Sequence, residues 1–319
     1  MLLGWGIMGG LVAGPAAEAV EAQSAGGGVM SWAEFRTFER VPEDVRIEWG
    51  HAPEQFGELY RPDEPGPHPV VVLLHGGCWL SIADTSYMSH LARALADAGW
   101  AVWMPEFRRA DMAGGAWPGM LTDVGQGVDH LRVLAPQYGL DLERVVSMGH
   151  SSGGHLALWV AGRSQISGEG VAARLRGTDP VRMRAVVGLA AIAGLEDYHA
   201  RGGGGCGPEA VPTLLGETPA DGNGSARLDL ADPTARLRAT STGDDAPLPV
   251  LLITGTLDPI VPVAHGEAFA AGVGPSVEPL ALPDAGHFEV VAPWTDSFAG
   301  MWPKLAAFLR TAVGTESPR

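Results

Sequence analysis

Met148–Ala157 reads MGHSSGGHLA and sets two adjacent serines between glycines. Only Gly149-His150-Ser151-Ser152-Gly153 fits G-x-S-x-G, because Ser152 would need glycine at position 150 and finds His150. In a chain with 45 glycines among 319 residues the pattern alone decides little, so its surroundings carry the reading. RVVSMGH (Arg144–His150) has the apolar, β-branched make-up of a strand, and SGGHLALWVAGR (Ser152–Arg163) reads as a helix. A serine between the two sits on a tight turn in strained backbone, and glycines at 149 and 153 let neighbouring chain approach it. The helix N-terminus places positive dipole character beneath the attacking oxygen. There Ser152 offers its backbone N–H to an anionic intermediate, with no task expected of its side chain.

Strand-like and helix-like pieces alternate on both sides of this turn. VRIEWG (Val45–Gly50) and FGELYRP (Phe56–Pro62) read as an antiparallel pair joined by a short polar turn. HPVVVLLHGG (His68–Gly77) is a continuous apolar run suited to a strand buried on both faces. Further strands are expected at Ala101–Phe107, Met183–Ala190, Leu248–Thr256 and Ser276–Leu282, with Arg144–His150 bringing the count to eight. Helices are expected over Tyr87–Trp100, from Pro118 in a first turn through Leu134, over Pro262–Val273, and over Trp302–Val313. The alternation implies an α/β fold, a mostly parallel sheet covered by helices on both faces. Only Gly194–Ala246 breaks the rhythm, with RGGGGCGPEA and GETPADGNGSA and no strand. A long excursion after a strand of a parallel sheet starts and ends where ligands bind in such folds, so 194–246 reads as a cap.

A serine hydroxyl needs a base. LPDAGHFEV puts His287 in a loop after the last strand, and LLITGTLDPIVP puts Asp258 just past a buried strand, where Pro259 disfavours helical backbone. The order Ser151, Asp258, His287 is that of an α/β-hydrolase. HGGCW (His75–Trp79) follows the third strand. Its glycines let the main chain approach a substrate carbonyl, so the N–H groups of Gly77, Cys78 and Ser152 form the expected oxyanion hole. Trp79 and Trp117 are candidates for the substrate pocket, with core packing the alternative for Trp79. His150 is expected to pack beneath the turn, and Glu106–Arg109 to hold an internal ion pair.

From about Val45 to Val313 the chain resembles α/β-hydrolase serine esterases through HGGCW, GHSSGGHLA, GTLDPIVP and AGHF. The H-G-G-x-W form with G-H-S-x-G-G-H is most similar to the kynurenine-formamidase and small bacterial carboxylesterase branch. The hormone-sensitive-lipase branch usually has a third glycine where this chain has Cys78. The resemblance implies hydrolysis of small carboxylic esters through an acyl-enzyme on Ser151. Two alternatives stand beside it: an arylformamidase acting on N-formylkynurenine, and a non-catalytic binding protein on a hydrolase fold.

Composition sets the remaining bounds. A net charge of −16 argues against nucleic acid and anionic membrane surfaces. No C-x-x-C or H-E-x-x-H spacing signals a metal, and no cofactor is implied. Cys78 and Cys206 are too few for a disulfide framework, and their contexts give no reason to expect a bridge. A free Cys78 would then make the site sensitive to thiol reagents. Residues 1–30 read as a disordered leader or a signal peptide without a basic n-region, followed by one domain over 31–319. The expected location is cytoplasmic, or secreted or periplasmic if the leader is a signal. The leader is too short and glycine-rich for a convincing membrane span.

Overall fold

The computed structural model describes residues 29–216, 224–242 and 247–314, so residues 1–28 of the expected leader lie outside the described residues. Eight strands form one sheet: β1 (Val45–Glu48), β2 (Phe56–Tyr60), β3 (His68–Leu74), β4 (Ala101–Pro105), β5 (Leu140–His150), β6 (Ala185–Leu189), β7 (Val250–Gly255) and β8 (Val277–Leu282). Their order across the sheet is β1-β2-β4-β3-β5-β6-β7-β8. β1 pairs antiparallel with β2 and β2 with β4, while every pair from β4 to β8 is parallel. Eight strands with an antiparallel opening pair match the sequence reading.

β3, β4, β6 and β7 are apolar runs because helices cover both sheet faces, leaving no polar face to alternate with. β5, at the centre, is buried from Val145 to His150 between β3 and β6. Parallel pairing aligns the C-terminal ends of β3, β5, β7 and β8 along one edge of the sheet. The HGGCW loop, Ser151, Asp258 and His287 all leave from that edge.

Element ends shift in places. The helix expected from Pro118 through Leu134 divides at His130 into Gly119–Asp129 and Leu131–Tyr138. The closing helix begins at Asp296 rather than Trp302, capped by Thr295, whose Oγ1 accepts the Phe298 N–H at 3.2 Å. Pro303 lies inside that helix. The region read above as a cap holds helices at Leu195–Ala200, Ala210–Leu215, Gly224–Ala231 and Thr234–Thr242, with no strand among its described residues. Residues 217–223 and 243–246 of this region lie outside the description. Among the described residues no helix is long and apolar enough to cross a membrane.

The Cys78–Cys206 bridge corrects the sequence reading. The two sulfurs are bonded, joining the HGGCW loop to the cap region across 128 residues. Cys78 therefore has no free thiol for reagents to modify. Nothing local in either segment encodes the pairing, which is set by where the cap region folds back.

Candidate active site

Ser151 sits between β5 and the helix Ser152–Gly162 at φ 57° and ψ −124°. L-residues rarely adopt this backbone, which costs on the order of 1–3 kcal/mol and persists only where the surroundings enforce it. Here they do. The Ser151 N–H donates to the Leu189 carbonyl at 2.9 Å, and the Ser151 carbonyl accepts the Ile192 N–H at 3.0 Å. Both flanking glycines are required sterically. A Cβ at Gly149 would lie 2.0 Å from the Gly153 carbonyl oxygen, and one at Gly153 would lie 2.2 Å from that of Leu74.

Asp258 and His287 meet at the end of the neighbouring strands. Asp258 Oδ2 accepts from His287 Nδ1 at 2.8 Å, while Oδ1 accepts the N–H groups of Ile260 at 2.8 Å and Val261 at 2.9 Å. The carboxylate is thus fixed by backbone on one oxygen and by the imidazole on the other. With its Nδ1 proton held there, a neutral His287 presents Nε2 as a bare lone pair, the tautomer a general base requires. The two loops are laced together by Thr256 N–H to the Leu282 carbonyl and Leu257 N–H to the Ala285 carbonyl, each at 2.9 Å. The His287 ring centre lies 4.6 Å from that of His150, the residue before Ser151. Asp258, His287 and Ser151 are all buried.

In the HGGCW loop, Cys78 and Trp79 both take left-handed backbone, at φ 54° and 63°. Among the described residues no hydrogen bond takes the amides of Gly77 or Cys78. As the first residue of its helix, Ser152 likewise has no intrahelical acceptor for its N–H. These are the three donors expected of the oxyanion hole. The Ser152 hydroxyl does have a task, contrary to the sequence reading: its Oγ accepts the Trp79 N–H at 3.3 Å and ties the loop to the serine turn.

Trp79 is 2% exposed. Its indole N–H donates to His155 Nδ1 at 3.2 Å, and His155 Nε2–H donates to the Ala231 carbonyl of the cap region at 3.0 Å. Burial, opposed by that carbonyl, pushes His155 down to about 4. This environment fits the packing alternative for Trp79. Trp117 is half-buried against the core and against Gly216. Neither tryptophan lines the cavity of about 500 Å³ between Trp32, Phe38, Ala83 and Tyr87, or the one of about 490 Å³ beside His265.

The expected ion pair within Glu106–Arg109 is present: Arg109 meets Glu106 in the interior. Glu106 also accepts from His75 Nε2 at 3.0 Å. Burial acts to raise the Glu106 carboxyl, but His75 and Arg109 together hold it below the usual carboxylate range. One support had no signal in the sequence reading. Glu289 accepts from the Met30 N–H at 2.5 Å and from the Gly286 N–H at 3.0 Å, so the first described residues brace the His287 loop.

A sheet of this order, with a strained serine after β5 and an Asp–His pair after β7 and β8, defines an α/β-hydrolase. The family described as BD-FAE matches residues 58–272, more than half of the chain. This chain belongs to the BD-FAE family. Its fold is similar to that of esterase B from Lactobacillus rhamnosis, with a TM-score of 0.69 and 25% identity over 88% of this chain and 91% of that one. It is 28% identical to esterase LipC of Mycobacterium tuberculosis over 254 residues, which are 76% of this chain and 59% of that protein. A probable isoprenylcysteine alpha-carbonyl methylesterase of Oryza sativa subsp. japonica is 31% identical over 110 residues, spanning 34% of this chain and 26% of the plant protein. The matched stretches thus fall short of two thirds of both curated relatives.

Proposed function

We propose that this chain hydrolyses small carboxylic esters through an acyl-enzyme on Ser151. The observation that carries the reading is the hydrogen bond from His287 Nδ1 to Asp258, which leaves Nε2 as the free ring nitrogen, on the sheet edge that also carries the strained Ser151, whose preceding residue His150 lies 4.6 Å from the His287 ring, centre to centre. His287 Nε2 takes the Ser151 proton as Oγ attacks the substrate carbonyl, and Asp258 stabilises the imidazolium that forms. The amides of Gly77, Cys78 and Ser152 hold the oxyanion. Collapse expels the alcohol, protonated by His287, and the same base then activates water to release the acid. The cap region, fastened to the HGGCW loop through Cys78–Cys206, covers the site and limits the substrate's size.

Esters are preferred over the formamide alternative because the relatives named above are esterases and no feature of the site selects an amide. An intact serine, base and oxyanion loop also weigh against a purely binding role. The disulfide supports the secreted or periplasmic location over the cytoplasmic one, since such bridges persist in oxidising compartments. The test of the catalytic reading is intact-mass labelling with a fluorophosphonate. Wild type should gain one adduct and Ser151→Ala none; folded wild type that takes no label would overturn it.

A further inference from the structure

Two buried side chains take no part in the acyl-transfer steps, yet they touch the backbone of the oxyanion loop and of the His287 loop, and one of them, His150, directly precedes Ser151. The Gly76 N–H donates to Tyr87 Oη at 2.6 Å. Tyr87 Oη lies 2.9 Å from His150 Nδ1, and His150 Nε2 lies 2.9 Å from the His287 carbonyl oxygen. The proton directions follow by elimination, because an amide only donates and a carbonyl only accepts. His150 Nε2 must therefore carry a proton. On a neutral ring Nδ1 is then a lone pair, which takes the Tyr87 hydroxyl proton. The chain runs one way, Gly76 to Tyr87 to His150 to His287. Burial first, and the proximity of His287 second, push the His150 imidazole well below its ordinary range, so the ring stays neutral.

We propose that Tyr87 and His150 are positioning residues, holding the oxyanion loop and the His287 loop in register with Ser151 through this chain; the assignment rests on the catalytic reading above. Gly76 shows why such a device is needed. A Cβ there would lie 2.7 Å from the His150 carbonyl oxygen and 2.9 Å from both Ser151 Cβ and Tyr87 Oη, so only glycine fits. Glycine is also the residue with the least backbone preference of its own. Its two flanking peptides are instead fixed by side chains. Tyr87 takes the Gly76 N–H, and His75 Nδ1 donates to the Gly76 carbonyl at 2.8 Å. Because the peptide is planar, fixing the Gly76 carbonyl also aims the Gly77 N–H, the first oxyanion donor. At the other end, His150 is rooted in β5, so its bond to the His287 carbonyl refers the base loop to the strand that carries the nucleophile.

Tyr87→Phe removes only the hydroxyl and keeps the ring against Trp32 and Phe35. His150→Gln can keep a donor to the His287 carbonyl while dropping the acceptor for Tyr87, and His150→Asn does the reverse. Each is assayed on p-nitrophenyl butyrate, with thermal midpoints and Ser151 labelling rates alongside. Tyr87→Phe should lower kcat by about 10- to 100-fold, short of the cost of deleting an oxyanion donor, with KM within about twofold. Labelling should slow in parallel. Tyr87→Phe/His150→Gln should be about as slow as the slower single variant, because both cut the same link. A Tyr87→Phe kcat within about threefold of wild type, losses confined to KM, or losses that multiply in the double variant would each overturn the proposal. If Tyr87→Phe fails to fold, the drop in kcat for His150→Gln and His150→Asn at unchanged KM decides instead. Wild type that takes no label on Ser151 would overturn the catalytic reading and this assignment with it, whereas a labelled wild type with an indifferent Tyr87→Phe overturns this assignment alone.

Discussion

Reducing the Cys78–Cys206 bridge should destabilise the protein measurably. The bridge spans 128 residues, and the chain-entropy relation for a loop of that length gives about 5 kcal/mol at 25 °C, released to the unfolded state when the bond opens. For a domain of this size each kcal/mol moves the thermal midpoint by about 2 °C, so the fall should be about 10 °C. Calorimetry with and without reductant measures it, and the Cys78→Ser/Cys206→Ser variant should melt at the lower temperature and ignore reductant. A parallel alkylation in denaturant should find no reactive thiol before reduction and two after it. Thiols that alkylate without reductant would refute the bridge. A bridge present by mass but with an unchanged midpoint would refute the argument that it closes a loop which is otherwise free in the unfolded chain.

Asp258→Asn should keep the fold and lower kcat by about 10,000-fold, because the amide no longer selects the base tautomer; steady-state hydrolysis of p-nitrophenyl butyrate checks it, and an unchanged rate would move the acid elsewhere. Acid should also destabilise the fold through its neutral buried rings. The His155 imidazole has its ordinary value of 6.5 when unfolded and is pushed down to about 4 when folded, so its contribution is full above 6.5 and is lost as pH falls toward 4, with His150 acting in the same direction. His155 alone accounts for about 3 kcal/mol across that window. Thermal midpoints measured from pH 7 to 4 should fall accordingly, and a flat profile would refute the assignment of these rings as neutral.

The sheet was legible because its central strands are buried on both faces, and an apolar β-branched run such as Val70–Leu74 has no competing helical reading. The placement of Ser151, Asp258 and His287 was legible from order, since each follows a strand and parallel strands bring those ends to one edge. What escaped the sequence has no local pattern. Cys78 and Cys206 meet only because the cap region folds back. Tyr87 stands at a helix start with nothing to mark that its hydroxyl reaches Gly76 and His150. Ser152 hid behind its neighbour: the motif accounts for its amide, and only the geometry shows its hydroxyl holding Trp79.

These unmarked contacts converge on the HGGCW loop. In this loop Cys78 and Trp79 are both left-handed non-glycine residues, a cost on the order of 2–6 kcal/mol. Three separate bodies hold it in place. The cap region reaches it through Cys206 and through the chain Ala231–His155–Trp79. The serine turn holds it through Ser152 Oγ, and the segment after β4 through the Ala110 N–H, which donates to the Trp79 carbonyl at 2.9 Å. Oxyanion donors act through orientation fixed before the charge develops, since amides that must turn toward the charge lose the benefit in doing so. On the proposed mechanism, the region read as a cap would do more than cover the site: through two of these ties it would help set the direction of the amides proposed to hold the charge.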